Sequence, residues 1–521
     1  MKPLPLPTTA LRPAIAVCLL AVGTLIAQTK KPTDRSKSTT PPPDAVEEAQ
    51  TPRAPEKIVR AEQAKTASDA DVDKFKADKA EVSSTVVKGQ PKGGAITGFD
   101  FYRDPLNAEK PMQTLGEIMT ADKKDKPAVM DAQRKLLESR YVLAPKAHPT
   151  ATMSRGKPVP MGPTAKLKDG KSWADLTAMK PEEIKQAGAF PYPALPHPKQ
   201  VAGGMVFPAM QIEMFPRLQR YDVDFDLPDA FLPEFPPAIF LQTRPELGDV
   251  SRGEVVSINN YYRLFKDLLT PVQLDGLRLL LTPMPQEEFN ATDDRKSEQP
   301  SLGVTCFDCH VNGHTTGQFH LNPDTRPQQR RMRLDTVSLR GLFNQQIHGS
   351  KRSLRSVEDF TEFEQRTAYF NGDQIHAFKK GAAILDRVQV SHMAQMQNML
   401  DFPPAPKLDP VTGRLDPTKA SEAELRGEQL FFGKAQCANC HPAPTYTSQL
   451  YHDLKTERFI DEAPLGPIKA FTLRGIKDSP PYLHDGRCLT LEDTIEFFNL
   501  VLQLKLIETE KQDLAEFLRC L

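Results

Sequence analysis

The chain has 521 residues, and its 67 basic and 67 acidic side chains cancel to a formal charge of zero. That balance argues against a nucleic-acid partner and gives no broad electrostatic steering. Lys2 and Arg12 precede an uncharged stretch from Pro13 to Ile26, and the polar run Gln28-Thr29-Lys30-Lys31 comes after it. This reads as an export signal and is short for a membrane span. Ala27 is a candidate residue to cut after. Leu25 is not the small residue expected two places earlier, so residues 1–27 are a signal peptide or an uncleaved N-terminal anchor that tethers the protein to a membrane. Cys18 lies inside the apolar stretch, and Val17 before it argues against a lipoprotein.

Residues 28–95 are rich in Lys, Pro, Thr, Asp and Ala with few large apolar groups, so burial cannot offset the entropy of ordering them, and a disordered linker is expected. From 96 to 295 aromatics and prolines increase, as in Phe190-Pro191-Tyr192-Pro193 and Phe231-Leu232-Pro233-Glu234-Phe235-Pro236-Pro237. Helical patches appear at Ala128–Arg140 and Tyr262–Leu280. The proline density predicts a Pro-rich, irregular domain with a few helices that wraps the C-terminal part of the chain.

Two C-x-x-C-H runs come next, Cys306-Phe307-Asp308-Cys309-His310 and, 131 residues on, Cys437-Ala438-Asn439-Cys440-His441. In each, two thiols at this spacing can add to the two vinyl groups of one haem, and the His after them can ligate its iron. A zinc site is the competing reading, but no second C-x-x-C accompanies either run at finger spacing. Two covalent c-type haems, with His310 and His441 as iron ligands, place the protein in the periplasm or another extracytoplasmic space. Asp308 is expected to face solvent. Cys488 and Cys520 remain as a pair that either bridges or stays as buried thiols.

The stretch after each motif repeats. Ser338-Leu339-Arg340-Gly341, His348-Gly349 and Ser353 to Phe360 come after the first; Thr472-Leu473-Arg474-Gly475, His484-Asp485-Gly486 and Thr490 to Phe497 come after the second. The fold class read from this is mainly α, with tandem cytochrome c-like haem domains at 296–420 and 421–521. Ser353 and Thr490 are expected helix N-caps. Ser421–Gly433 and Glu510–Leu521 carry apolar residues at helical spacing and are expected to cross beside the second haem. Arg340 and Arg474 stand in matching places and suit pairing to haem propionates, or to a neighbouring carboxylate.

After the first motif come His314 and His320, then His348 at the expected repeat position of His484. A distal His can serve a peroxide-handling haem as ligand, as base or as both. His320 has more chain in which to reach the far face than His314. The structural alternative for either is a hydrogen bond to a propionate or to the proximal His.

From Phe471 to Asp493, and above all at Pro481-Tyr482-Leu483-His484-Asp485-Gly486, the chain resembles the bacterial di-haem cytochrome c peroxidase family, including the relatives that oxidise tryptophans on methylamine dehydrogenase. The resemblance covers residues 296–521. It implies an oxidoreductase that reduces hydrogen peroxide, with electrons from a small cytochrome or other donor passing from the second haem to the first. It also implies that His484 lies near a haem edge, and that an acid among Glu358, Glu362 and Glu364 assists peroxide cleavage. The sequence departs from the family where a Met or Tyr ligates the second haem: that place holds Phe498, and no methionine occurs after Met399. The sixth ligand is then His452, a tyrosine such as Tyr451, a residue from elsewhere such as Met393 or Met396, or none. The family's tryptophan between the haems is replaced by Ile347, and the only tryptophan, Trp173, lies far upstream. A di-haem oxidase of an organic or protein substrate and a non-catalytic electron carrier are the rival readings.

Overall fold

The computed structural model describes residues 112–195, 205–216, 218, 227–283, 296–297, 305–320, 334–351, 353–364, 385–462 and 464–521. The chain divides into Met1–Ser84 and Thr85–Leu521, and every described residue belongs to the second unit. The signal or anchor and the linker expected at 1–27 and 28–95 lie outside the described residues. Among the described residues no helix is long and apolar enough to cross a membrane.

The fold is mainly helical with a few two- to seven-residue strands, as cytochrome c-like haem domains are. Strand β1 (Met112–Gln113) leads into α1 (Leu115–Arg140), which starts at a capping box in which Thr114 and Glu117 satisfy each other's backbone N–H groups. The helix begins well before the patch read at Ala128 and runs through Pro127. A hairpin of β2 (Lys146–Thr152) and β3 (Pro158–Met161) is next, then α2 (Trp173–Ala178) and α3 (Pro181–Ala187). Strand β4 (Met205–Val206), α4 (Ala209–Met214), α5 (Tyr261–Phe265), α6 (Pro271–Leu280) and β5 (Lys296–Ser297), which pairs with β1, complete the region before the first motif.

Helix α7 (Cys306–Cys309) is the first motif itself. After it come β6 (Phe319–His320), which sits between β4 and β7 (Leu334–Asp335), then α8 (Val357–Phe363) and α9 (Arg387–Gln397). Helix α10 (Glu422–Phe432) precedes the second motif. The β8 (Tyr451–His452) and β9 (Ile468–Lys469) pair, α11 (Leu491–Val501) and α12 (Glu508–Leu518) close the chain.

Two helix crossings organise the cores. Gly427 of α10 lies against the Asp513 carbonyl of α12, and Gly276 of α6 lies against the His392 carbonyl of α9. In each crossing the missing side chain lets the backbones approach where a Cβ would overlap the carbonyl. Helices α10 and α12 are the two expected from sequence. Helix α6 lies upstream of the expected boundary at 296, yet it crosses α9 as α10 crosses α12. One core joins Phe431, Phe497 and Phe517 to Leu137, Tyr141 and Phe190 of the upstream region; the other joins Ile239, Leu264 and Leu277 to Phe307, Leu339, Met393 and Met396.

Further features repeat at a constant offset of 134 residues. Gly341 and Gly475 are both left-handed (φ 78° and 73°) and each opens a single 3-10 turn, Leu342–Asn344 and Ile476–Asp478. A two-bond bridge joins His348 to Leu354 and another joins Tyr482 to Cys488. Gly349 and Leu483 both have positive φ, at 97° and 69°. Ser356 caps α8 through Asp359 N, as Thr490 caps α11 through Asp493 N. This register corrects the sequence alignment: the cap is Ser356 and not Ser353, His348 corresponds to Tyr482, and Ser350 corresponds to His484. No tryptophan stands at Ile347 or at Ser350.

Candidate functional site

The first motif is a single helical turn capped by its own aspartate. Thr305 N donates to Asp308 Oδ2 at 2.7 Å, and Asp308 is 2% exposed, so it does not face solvent as expected. The turn is fixed from the upstream region, where Gln211 Nε2 donates to Asp308 O. Asn312, at φ 53°, is held by Pro237 O, Glu254 O and Val256 N. The imidazole of His310 bonds through Nδ1 to Val337 O at 2.8 Å. In the second motif His441 Nδ1 bonds to Tyr446 O at 3.0 Å, with the backbone of Phe471 beside it. Phe471 is the register counterpart of Val337. Tying Nδ1 to a carbonyl fixes ring orientation and tautomer and leaves Nε2 as the ligating edge, the usual arrangement for a metal-binding His. Burial also pushes the pKa of His441 down to about 4, which keeps its ring neutral.

Cys440 and His441 open onto a cavity of about 290 Å³, at the lower end of the roughly 300–1,000 Å³ of a ligand pocket. Pro481, Leu483, Phe497 and Phe498 give it apolar walls, while Arg340, Arg474, His452 and His484 bring polar groups. His314, Val337 and Ser338, which come after the first motif, line the same space. Arg340 Nε, Tyr482 OH and His484 Nε2, buried polar atoms on its lining residues, have no hydrogen-bond partner. Buried polar atoms are rarely left unmatched. An apolar cavity beside a C-x-x-C-H run, with guanidinium groups on its wall, fits a large flat cofactor that carries carboxylates. The residues therefore fit haem.

Arg340 is 5% exposed, donates through Nη2 to Ala238 O at 2.6 Å and faces Asp478 Oδ2 at 3.5 Å. Arg474 donates through Nε to Leu521 O, the chain's last carbonyl, and lies over Phe402. His484 is buried, which lowers its pKa, with Asp485 Oδ2 3.5 Å away. Asp485 is fully buried and pairs with Arg487, which also reaches Glu462 and Tyr192 O. Burial opposes this carboxylate's charge, and Arg487 with His484 overcomes that and holds its pKa below the ordinary value.

His314 has both ring nitrogens engaged, Nδ1 with Ser338 Oγ at 2.7 Å and Nε2 with Asp478 O at 3.0 Å. His320 is in β6, where its backbone pairs with Met205 and Leu334. Glu362 pairs with Arg387 on the surface. Glu364 comes directly after α8 at the register counterpart of Phe498. His452 Nε2 bonds Ser448 Oγ at 3.0 Å, and the Tyr451 hydroxyl donates to Gly349 O at 3.2 Å. Met393 and Met396 are 1% and 0% exposed and pack with Phe307 and Leu339, not on the cavity. Trp173 stacks edge-on against Phe190 and does not line the cavity. Among the described residues there is no disulfide; Cys488 is fully buried, and Cys520 Sγ donates to Glu516 O.

Sequence reading missed Asp478, the Asp485–Arg487–Glu462 cluster and Lys469. Lys469 is buried at the cavity, where loss of solvent lowers its pKa to about 8, and its amine donates to Gln345 Oε1 and Ile347 O. Only the doubled Ser/Thr-Leu-Arg-Gly run hinted at Asp478, which stands three residues beyond its second copy.

No family model matches the chain. It is 30% identical over 118 residues to the methylamine utilization protein MauG of Methylorubrum extorquens, covering 18% of this chain and 33% of that protein. It is 25% identical over 157 residues to the cytochrome-c peroxidase IdrP1 of Pseudomonas sp. strain SCT, covering 20% of this chain and 41% of that one. The chain thus spans between a third and two-fifths of the length of these curated relatives. Among solved structures, hydrazine synthase of Kuenenia stuttgartiensis aligns with a TM-score of 0.35 at 17% identity, over 52% of this chain and 94% of that one. A MauG-like protein associated with microbial copper homeostasis aligns with a TM-score of 0.29 at 18% identity, over 36% and 72%. At such scores neither structure carries an argument. Over part of its length, on the sequence relatives and on the motifs it carries, the chain is similar to the MauG and di-haem cytochrome c peroxidase-like family.

Proposed function

We propose that this is an exported, periplasmic di-haem c-type oxidoreductase that reduces hydrogen peroxide with electrons from a small cytochrome or similar donor. The observation that carries the reading is the single cavity whose wall includes His441 of the second motif and Val337, Ser338 and Arg340 of the stretch after the first. We place two tandem cytochrome c-like units in the chain, the first opening at the α6 cap Thr270 and the second at the α10 cap Ser421, behind the Pro-rich upstream domain.

When bound, the haems would supply iron that takes up electrons singly and can bind peroxide. Cys306, Cys309, Cys437 and Cys440 hold them covalently, and the carbonyls on His310 and His441 Nδ1 orient the two ligating rings. Arg340 and Arg474 bind the anionic edges. Phe497, Phe498 and Pro481 keep water from the second site, with His452 on its wall. At the first site His320 is the proton-handling group in this reading. Glu364, the counterpart of Phe498 in the internal repeat, is the acid; Glu362 is taken up by Arg387.

The test is exported holoprotein mixed with peroxide and a reduced small cytochrome. Peroxide-dependent oxidation of the cytochrome supports the reading. Two loaded haems that stay low-spin and inert to peroxide, both fully oxidised and half-reduced, would leave the electron carrier as the better description.

A further inference from the structure

We propose that His314 is the residue through which the two haem-attachment regions are electronically coupled, an inference that rests on the di-haem reading above. The ring spans the junction between them. Its Nε2 meets Asp478 O, a carbonyl that can only accept, so Nε2 carries the proton and Nδ1 accepts from the Ser338 hydroxyl. Ser338 directly succeeds Val337, whose carbonyl holds the His310 ring. Asp478 ends the 3-10 turn that begins after Gly475, in the same loop as Phe471, whose backbone lies at the His441 ring. An unbroken run of bonds and hydrogen bonds therefore joins one motif histidine to the other, and in it the His314 ring is the side chain that bridges the two regions.

The internal repeat shows that this link is an addition and not a property of the fold. In the second region Thr472 takes the place of Ser338, and its hydroxyl donates to the carbonyl of Thr445, four residues after His441. His314 is likewise four residues after His310. There the hydroxyl meets a ring instead of a backbone oxygen, and the ring extends the contact into the other region. Both hydroxyls accept from the arginine N–H two residues on, Arg340 N at 3.2 Å and Arg474 N at 3.1 Å, so the two loops are otherwise built alike.

The surroundings fix the ring. His314 is 3% exposed, and burial with Arg340 nearby lowers its pKa to about 3, so its donor and acceptor edges do not exchange near neutral pH. The Asp478 carboxylate does not compete for it, being held by Ser154, Lys477 and Arg340. In the electron transfer one electron leaves a ferrous iron and reaches a ferric one. No bond forms or breaks, and His314 is neither oxidised nor deprotonated.

The experiment injects one electron per molecule into the oxidised two-haem protein by pulse radiolysis and tracks its redistribution between the haems optically. His314→Leu, with both haems retained and ferric spectra unchanged, is expected to slow redistribution by about tenfold. His314→Gln, whose amide can still donate to Asp478 O, should recover part of the rate. Ser338→Ala removes the other hydrogen bond without adding bulk and should also slow it, which keeps the test valid if the leucine variant fails to fold. A merely structural clamp predicts lower thermal stability with unchanged rates, and that result overturns the inference alone. Absence of any redistribution in the unaltered protein overturns the di-haem relay and this inference together.

Discussion

Gly276 and Gly427 hold the same place in two different helix crossings: each sits under a backbone carbonyl of the partner helix, His392 O and Asp513 O, with no space for a Cβ. A flexible side chain could move aside, but a carbonyl inside a helix cannot. Gly427→Ala should therefore force α10 and α12 apart at the core that contains Phe431 and Phe517, at a cost of about 1–3 kcal/mol. Gly276→Ala should do the same for α6 and α9. Thermal unfolding of each holoprotein variant is the measurement, and an unchanged midpoint in both would mean that the crossings are not tight.

Haem attachment should separate by motif. Replacing Cys437 and Cys440 by Ala should remove one haem in the mass of the exported protein, and replacing Cys306 and Cys309 should remove the other. Loss of both haems from either pair, or none from the unaltered protein, contradicts two independent sites.

What could be read from sequence was local. The motifs, the cap Thr490 and the apolar spacing of α10 and α12 are each written in a few consecutive residues. The first region shows where this fails: Ser353 and Ser356 both precede acidic residues, and similarity of Ser353-Leu354 to Thr490-Leu491 favoured the wrong one. Only the bridge from His348 to Leu354, matched by Tyr482 to Cys488, sets the register. Asp478, Arg487 and Tyr141 owe their roles to partners more than a hundred residues away, for which a single sequence carries no signal.

Asp493 ties the segment around Thr164 to α11. Its carboxylate accepts from Thr164 N at 2.7 Å, Thr164 Oγ1 at 2.6 Å and Ala165 N at 2.9 Å, all buried. Asp493→Ala leaves these donors unmatched, at about 1–3 kcal/mol for each buried group left so. Limited proteolysis should then cut the 142–166 segment faster than in the unaltered protein. An unchanged cleavage pattern would show that other contacts hold the strap.

Acid should weaken the fold through His314. An unfolded histidine titrates near 6.5, whereas the buried ring holds out to about 3. Between those values the unfolded chain binds a proton that the folded chain does not, so stability falls as the pH drops, by up to about 1.4 kcal/mol per pH unit. His348, held down to about 4 by burial and by Lys469, adds to the same limb. His314→Gln should flatten the decline in melting temperature between neutral pH and pH of about 4.5. If variant and unaltered protein lose stability in parallel, His314 is not the group responsible.

The second haem should show no methionine-to-iron charge-transfer band. The chain has no methionine beyond Met399, Met393 and Met396 are buried in the other core, and the position where the resembled family carries its ligand is Phe498 on the cavity wall. Phenylalanine offers iron no lone pair, whereas methionine supplies a polarizable sulfur on a flexible chain. Phe498→Met should therefore create the band and raise the reduction potential of one haem while leaving the other unchanged. A band already present in the unaltered protein that survives replacement of Met393, Met396 and Met399 would place the second haem elsewhere than beside Phe498.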